Sequence, residues 1–562
     1  MEKRVLIAIL LSFVVFFGYS KLVAVIYPDY AKEAQLKQEQ PAAGMTPISG
    51  TGATSAAGVT SAAGTPFAGS GSAIVPANAA LSAVPDQILP VRLPKYELAY
   101  SKNAASFTEA KLTGYPDAEG GPFRFLQSVS GKVGTGAIDT VLVDDRTVSD
   151  LSFETSQEGR QIRSTADAGK VTVEKSWNLS DDGYGQGLMV AITNHSDAPV
   201  RVRYRILTGS KPVVHNSIDD QYIEANWLTE ANLTHIRKPG LNKPKSLSEP
   251  VIAASIKSRH FSSILKPIKT TGTFSAHVEA YDKMNFGSYL VRSEAVVQPG
   301  ETLSDGFLWY VGPNRVEDLM PYELDRLVNF GKLDFIAKIV LGGLHMIAGV
   351  VKNYGIAIIV LTLLTNMLFM PLTRVSFMSM RRMQLVQPEA TRLREKHKDN
   401  PAKLNEETMA LYKKHKVNPM GGCLPMLLQM PIFMGLYVSL SKAPELLGGS
   451  FLWVKDLASP DVIKLPLALP MIGDNIHLLP IIMVGAMFAQ QKISMGAMAS
   501  PDPNMAQQQK IMMYVMPVMF GFIFYKMPSG LVVYWLTNTL VMTAYQAYLK
   551  KSNPVPAVPA VG

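Results

Sequence analysis

Between residues 89 and 313 apolar and polar positions alternate. Val200, Val202, Tyr204 and Ile206 are interleaved with Arg201, Arg203 and Arg205, and Val171, Val173 and Trp177 belong to a second stretch of the same kind. Side chains two apart share one face of a strand, so each stretch predicts a strand with a buried side. Turn-forming clusters such as Asn194-His195-Ser196-Asp197 and Gln298-Pro299-Gly300 separate these stretches. Short strands so punctuated predict an all-β sandwich. After Pro313 the period becomes helical. Leu324, Leu327, Val328, Phe335 and Ile339 fall on one face, and Glu323, Asp325, Arg326, Lys332 and Asp334 fall away from it. This predicts an amphipathic helix within 316–352, lying in the outer membrane interface.

The rest of the chain is dominated by uncharged runs. They occupy 353–373, 417–441, 475–491, 511–525 and 527–549, and Lys3 and Arg4 precede a further apolar stretch at the N-terminus. About 20 apolar residues suffice to cross a bilayer as a helix. Six spans are therefore predicted, the first being a signal anchor at 1–28. The runs at 475–491 and 511–525 hold only 17 and 15 residues, which suits a locally thin membrane.

Charge sets the orientation. The segment 374–416 carries eleven Lys or Arg against five Asp or Glu, while 442–474 carries three Lys against four Asp or Glu. Positively charged loops stay in the cytoplasm, so 374–416 is predicted to be cytoplasmic and 442–474 to lie outside. Asn400 as cap and Pro401 at the first helical position start a second helix within 374–416, making it a basic helical hairpin. Arg381, Arg382, Arg392, Arg394, Lys413 and Lys414 are its main basic residues. Lys550 and Lys551 place the tail, 550–562, on the same side, so both termini are expected in the cytoplasm and the β domain, 89–315, outside it.

Composition agrees with a membrane protein: the 562 residues are only 18% charged, and mean hydropathy is positive. The single cysteine, Cys423, excludes a disulfide scaffold and multi-Cys metal sites. Residues 29–88 are mostly Ala, Gly, Ser, Thr and Pro, with no charge between Pro41 and Pro85, and read as a flexible tether.

Enzyme motifs are sparse. The sequence has no nucleotide-binding loop, no HExxH and no GxSxG, and no two histidines lie three or four residues apart. His195, His215, His235, His260 and His277 in the β domain read as strand-end or surface residues, and no metal or cofactor is expected. The polar residues within the apolar runs are more informative, because each needs a partner or water in hydrocarbon. Thr362, Thr365 and Asn366 share a face of the second span. Gln429 lies in the third, Gln490 and Gln491 in the fourth, and Tyr534, Thr537 and Asn538 share a face of the sixth. Each could be local glue between helices; together they suggest a wet cavity. The five runs contain no Asp or Glu, which weighs against an ion-coupled transporter. Of the 28 methionines many cluster near Phe369, Phe433, Phe520, Phe522 and Phe524, a soft surface suited to varied apolar partners.

Several strings resemble the YidC/Oxa1/Alb3 membrane protein insertases: VNPMGGCLPMLLQMPIFMGLY at 417–437, MPLT at 370–373, QQKIMMYVMP leading into the fifth span, and PSGLVVYWLTN at 528–538. Anchor, tether and β domain further resemble the Gram-negative form. The resemblance implies a bacterial inner-membrane protein with a five-helix insertase core and a periplasmic β sandwich. It also implies a hydrophilic groove, open to the cytoplasm and sideways to lipid, formed here by Thr362, Thr365, Asn366, Gln429, Gln491, Trp535 and Asn538. Substrate would slide along Met430, Phe433, Val518, Phe520 and Phe522. Five residues before the MPLT proline the family's usual groove arginine is replaced by Asn366, which implies a wet groove with weaker preference for anionic segments. Implied partners are nascent membrane proteins, the lipid bilayer, the Sec translocon, the ribosome and the signal recognition particle receptor. The readings from other classes are a small-solute transporter using the same polar cavity, and a membrane-anchored periplasmic sugar-active enzyme.

Overall fold

The computed structural model describes residues 87–552 except 118–119, 129–133, 150, 216–217, 238–242, 282–284, 399, 416–423, 470–472 and 496–510. The expected signal anchor, the tether as far as 86 and the tail beyond 552 lie outside the described residues.

The alternation seen in the sequence becomes a pair of antiparallel sheets. The first runs Leu233–Arg237, Glu224–Leu228, Ala253–Lys257, Phe261–Lys269, Thr302–Pro313, Gly185–Asn194, Val171–Asn178, Gln161–Asp167 and Glu154–Glu158. The second is built on Phe274–Ala280, Phe286–Arg292, Val200–Ser210 and Ile138–Val143, with short strands at its margins. Register follows the pattern: Val202 faces Val143, and Leu188 faces Trp177. A four-stranded sheet over Ile88–Leu93 to Pro122–Gln127 precedes them. Phe107 from it stacks on Trp309 at 4.9 Å and meets Trp177 edge-on at 4.8 Å. Gly136, at φ +82°, passes so close that a Cβ would sit 2.4 Å from the Trp177 ring.

Seven helices of eight or more residues follow among the described residues: α1 (Asp334–Val351), α2 (Tyr354–Lys396), α3 (Pro401–Lys414), α4 (Leu424–Lys442), α5 (Leu478–Met495), α6 (Met516–Phe524) and α7 (Ser529–Ser552). The segments expected as second span and first arm of the hairpin form one helix, α2, of 43 residues with Pro371 and Pro388 inside it. It is about 65 Å long. Asn400 caps α3 by accepting from the Lys403 amide, and α3 folds back on α2 through Val386, Ala390 and Leu411. Among the described residues two helices, Asp334–Val351 and Tyr354–Met383, are long and apolar enough to cross a membrane, and Leu478–Ser494 and Met513–Phe524 are shorter apolar helices.

The predicted amphipathic face after Pro313 is divided. Leu324, Leu327 and Val328 lie in short turns and are buried against the sandwich residues Leu228, Ala253 and Tyr310. Gly331, at φ +80°, breaks the helical course before α1 begins. Phe335 and Ile339 then emerge on α1 with exposures of 73% and 59%. Period alone cannot distinguish one helix from two elements that bury different sides. Instead α1 buries Ala337, Leu341, Leu344 and Ala348. Gly435 of α4 lets α1 approach, since a Cβ there would meet Ile336 at 2.6 Å. One apolar core runs continuously from the edge of the sandwich into these helices.

Candidate functional site

The longest helix carries an inverted surface. On α2, Thr362, Asn366, Thr373 and Ser376 are buried, whereas Leu363, Leu364, Met367, Leu368 and Val375 are exposed. The four polar positions are spaced four, seven and three residues apart, so they share one helical face. In water this arrangement would be upside down; in hydrocarbon it is favourable.

Hydrogen bonds on that face are mostly local. Thr362 Oγ1 donates to the Ile358 carbonyl (2.6 Å), Thr365 Oγ1 to Leu361 (2.8 Å) and Thr373 Oγ1 to Phe369 (3.0 Å). Threonine back-bonding of this kind satisfies the hydroxyl without a second helix. Asn366 Nδ2 likewise donates to the Thr362 carbonyl at 2.8 Å, but its Oδ1 is buried and accepts nothing from the protein. The Oδ1 of Asn538 on α7 and the Oγ of Ser376 are in the same situation. A buried acceptor left unmatched costs about 1–3 kcal/mol, so these atoms mark places where the protein by itself does not complete the polar network.

Helix α7 is the hub. It packs against α2 and α5, and more lightly against α4. Gln429 Nε2 on α4 donates to Tyr534 Oη on α7 at 2.8 Å. Trp535 gathers three rings: Phe433 of α4 edge-on at 4.9 Å, and from α6 Phe520 stacked at 5.4 Å and Phe524 at 5.2 Å. Residues expected in the groove and residues expected on the slide thus meet at one indole. Val518 and Phe522 point the other way, 45% and 78% exposed, and Met430 is half-buried. Gln491 is half-buried near the end of α5, beside exposed Lys492. One turn further, Ser494 donates to Gln546 Oε1 of α7 at 2.6 Å.

The basic residues of α2 and α3 divide. Arg382, Arg392, Arg394, Lys413 and Lys414 are exposed. Arg381, expected among them, is buried and donates to the Leu549 carbonyl at the end of α7 (3.4 Å). A guanidinium at a helix C-terminus meets orphan carbonyls there, which explains the inward turn. Ser376 lies beyond Thr373, in a segment whose charge reads as a soluble hairpin. Its spacing from Asn366 and Thr373 was the available clue.

Several histidines of the β domain have local partners. His215 contacts the Arg124 carbonyl, His277 the Ser246 hydroxyl and His235 the Asn226 side chain. Among the described residues no group of three His, Cys, Asp or Glu side chains is placed to hold a metal ion.

Residues 346–555 match the family described as 60Kd inner membrane protein, and residues 89–341 match the YidC periplasmic domain. Along the whole chain, the membrane protein insertase YidC of Geobacter metallireducens is 31% identical over 571 residues, covering 98% of this chain and 99% of the relative. The chain belongs to the YidC membrane protein insertase family. The YidC insertase of Syntrophobacter fumaroxidans is 32% identical, covering 82% of this chain and 83% of its own. A solved active YidC insertase with its first transmembrane domain resolved covers 83% of this chain and 94% of its own, at 20% identity and a TM-score of 0.36. The YidC family is an inner-membrane family, and the β sandwich is this member's periplasmic domain. In this YidC family member α2 carries a polar helix face that includes Asn366.

Proposed function

We propose that this YidC family member inserts newly made membrane proteins into the inner membrane, without ATP, by way of a hydrated groove walled by α2, α4, α5 and α7. The observation that carries the mechanism is the inverted face of α2, with Thr362, Asn366 and Ser376 turned inward and leucines turned out. Unmatched oxygens at Asn366 and Ser376 on that face, and at Asn538 on α7, support water in the groove.

The barrier to insertion is the polar flank of the substrate, since a charge at the bilayer centre costs ~2.5–3.5 kcal/mol even by insertion scales. A half-channel of water shortens the dry part of the path. The drive is burial of the substrate's apolar helix, roughly 25 cal/mol per Å², with ~2.3 kcal/mol per charge per 100 mV from a membrane potential of suitable sign. Phe522 and Val518, exposed on α6, and Met430 and Phe433 on α4 form the apolar track beside the groove, and Trp535 separates track from groove.

In this reading there are six spans, both termini are cytoplasmic, and α3 with the end of α2 forms the cytoplasmic basic hairpin. Arg382, Arg392, Arg394, Lys413 and Lys414 on it would meet the ribosome or the signal recognition particle receptor, and the Sec translocon is a further partner. No cofactor takes part. The test is depletion of the resident insertase, complementation with this chain, and protease accessibility of a short-tailed single-span substrate. Translocation of the tail is expected; failure of the chain to restore it refutes the proposal.

A further inference from the structure

The periplasmic domain meets the helices at a buried charge. Arg259 sits in the tight turn between strands Ala253–Lys257 and Phe261–Lys269 and is 2% exposed. Its Nε donates to the Ser441 carbonyl at 2.5 Å and its Nη2 to the Ala458 carbonyl at 2.9 Å. Nη1 lies 3.4 Å from Asp219 Oδ1, a carboxylate of the same domain. The next residue, His260, contacts the Lys442 carbonyl through Nδ1 at 3.3 Å. Asn314 braces the turn, with its amide donating to the His260 carbonyl and its side chain to that of Ser258.

Both acceptor positions matter. Ser441 and Lys442 are the last residues of α4, where carbonyls have no partner within the helix and the helix end is negative. Arg259 supplies the missing donors and the opposite charge from another domain. Ala458 lies in the stretch that receives the start of α7: the Gly530 amide donates to the Leu457 carbonyl, and the Ser529 amide and hydroxyl donate to the Ser459 carbonyl. One guanidinium thus ties the outer end of α4 to the segment that holds the outer end of α7. These are the two helices joined lower down by Gln429–Tyr534 and Phe433–Trp535.

We infer that Arg259 is a positioning residue for insertion: with His260 beside it on Lys442, this side chain of the β domain clamps the outer ends of α4 and α7 together and keeps the groove closed toward the periplasm. The inference rests on the insertase reading above for its consequence, but not for its geometry. A planar guanidinium can serve two carbonyls at once; a lysine ammonium on a single flexible stem cannot hold both in the same fork. Removing the donor leaves two buried carbonyls and Asp219 without their cation, a loss of the order that shifts a docking equilibrium by tenfold or more.

The experiment uses the full chain, in cells depleted of their resident insertase, with Cys423→Ser so that Ser441→Cys carries the single thiol. Two quantities are followed: labelling of that thiol by a membrane-impermeant maleimide added outside, and insertion of a single-span substrate with a charged tail. Protease resistance of the β domain separates undocking from unfolding. Against the Arg259 parent, Arg259→Met is expected to raise labelling about tenfold and to lower insertion by a similar factor, with Arg259→Lys in between. Parent-level labelling and insertion in Arg259→Met, or a change in one without the other, overturns the inference. Should Arg259→Met not accumulate, Arg259→Lys decides: parent values for both readouts overturn the clamp. If the Arg259 parent itself inserts nothing, the insertase reading fails, while labelling still reports whether the clamp exists.

Discussion

In the sandwich, Trp177, Trp227 and Trp309 are fully buried, and of the arginines of Val200–Ser210 Arg201 is exposed, Arg203 half-buried and Arg205 buried against Asp139 and Glu279, whereas α2 buries Thr362 and Asn366 and exposes Leu364, Met367 and Leu368. The two regions read the same rule in different solvents. Water rewards the removal of apolar area, so the β domain gathers its large side chains inward. Lipid offers no such reward and cannot bond a backbone or an amide, so polar groups turn toward each other and the helices hold together by close fit, as at Gly435. Both domains hold matched and unmatched polar groups: in the sandwich Trp177 Nε1, Trp227 Nε1, Ser255 Oγ and Asp305 Oδ1 are buried without a protein partner. Deep in the sandwich, Asp305 takes Arg292 at 2.6 Å and the Tyr204 hydroxyl at 2.8 Å. On α2 and α7 two asparagine oxygens have no protein donor.

The sharpest test of that contrast is a large-to-small change in each solvent. Trp309→Ala should remove about 3–5 kcal/mol from the unfolding of the periplasmic domain, since the ring is fully enclosed and stacked on Phe107. Thermal unfolding of the solubilised chain reads this as a lower first transition; a shift of a degree or two would mean the aromatic cluster is not the core.

Next in size is Asn366→Leu. Its unmatched oxygen means that stability should hold or rise slightly, while insertion of substrates with charged tails falls about tenfold further than that of uncharged ones. Protease-protection assays on a matched pair of tails measure the ratio, and equal losses would contradict a hydrated face.

A pH experiment probes a lysine set deep within the sandwich core. Lys175 lies in register with Val171, Val173 and Trp177 and donates to the Ala105 carbonyl. Burial pushes its ammonium down to about 7 from its ordinary 10.5. Between those values the unfolded chain holds a proton that the folded chain has released, so stability must rise with pH through that window and level off below it. Lys175→Met should flatten the dependence of the domain's unfolding temperature between pH ~7 and ~10. An unchanged slope would place the titration elsewhere.

The smallest effect belongs to the lipid side. Leu368→Ala, at a position 73% exposed, should change stability by less than about 0.5 kcal/mol. A loss comparable to that of Trp309→Ala would mean that α2 packs against protein on its leucine face.

Much of this was legible along the chain. Val200 to Ile206 announced a strand, though Arg205 on its polar side is buried as well, Asn400-Pro401 announced the start of α3, and the uncharged runs announced α4 to α7. The reason is that period, caps and hydropathy are local properties, and they survive whatever tertiary structure follows. The place of Asn366, five residues before Pro371 of MPLT, was also readable along the chain.

Other features needed the third dimension. The sequence could not separate Leu324, Leu327 and Val328 from Phe335 and Ile339, since one helical period fits both and only the sandwich edge chose among them. Nor could it turn Arg381 inward to the end of α7, bring Phe433 and Phe520 onto Trp535, or set Arg259 against Ser441, 182 residues away. Which partner a buried charge finds depends on the meeting of distant surfaces, where desolvation makes a matched carbonyl or carboxylate far better than none. The sequence by itself therefore determined which segments would be strands or helices and which solvent each would face. Tertiary structure alone decided which polar groups would be left unmatched and which helix ends would be joined.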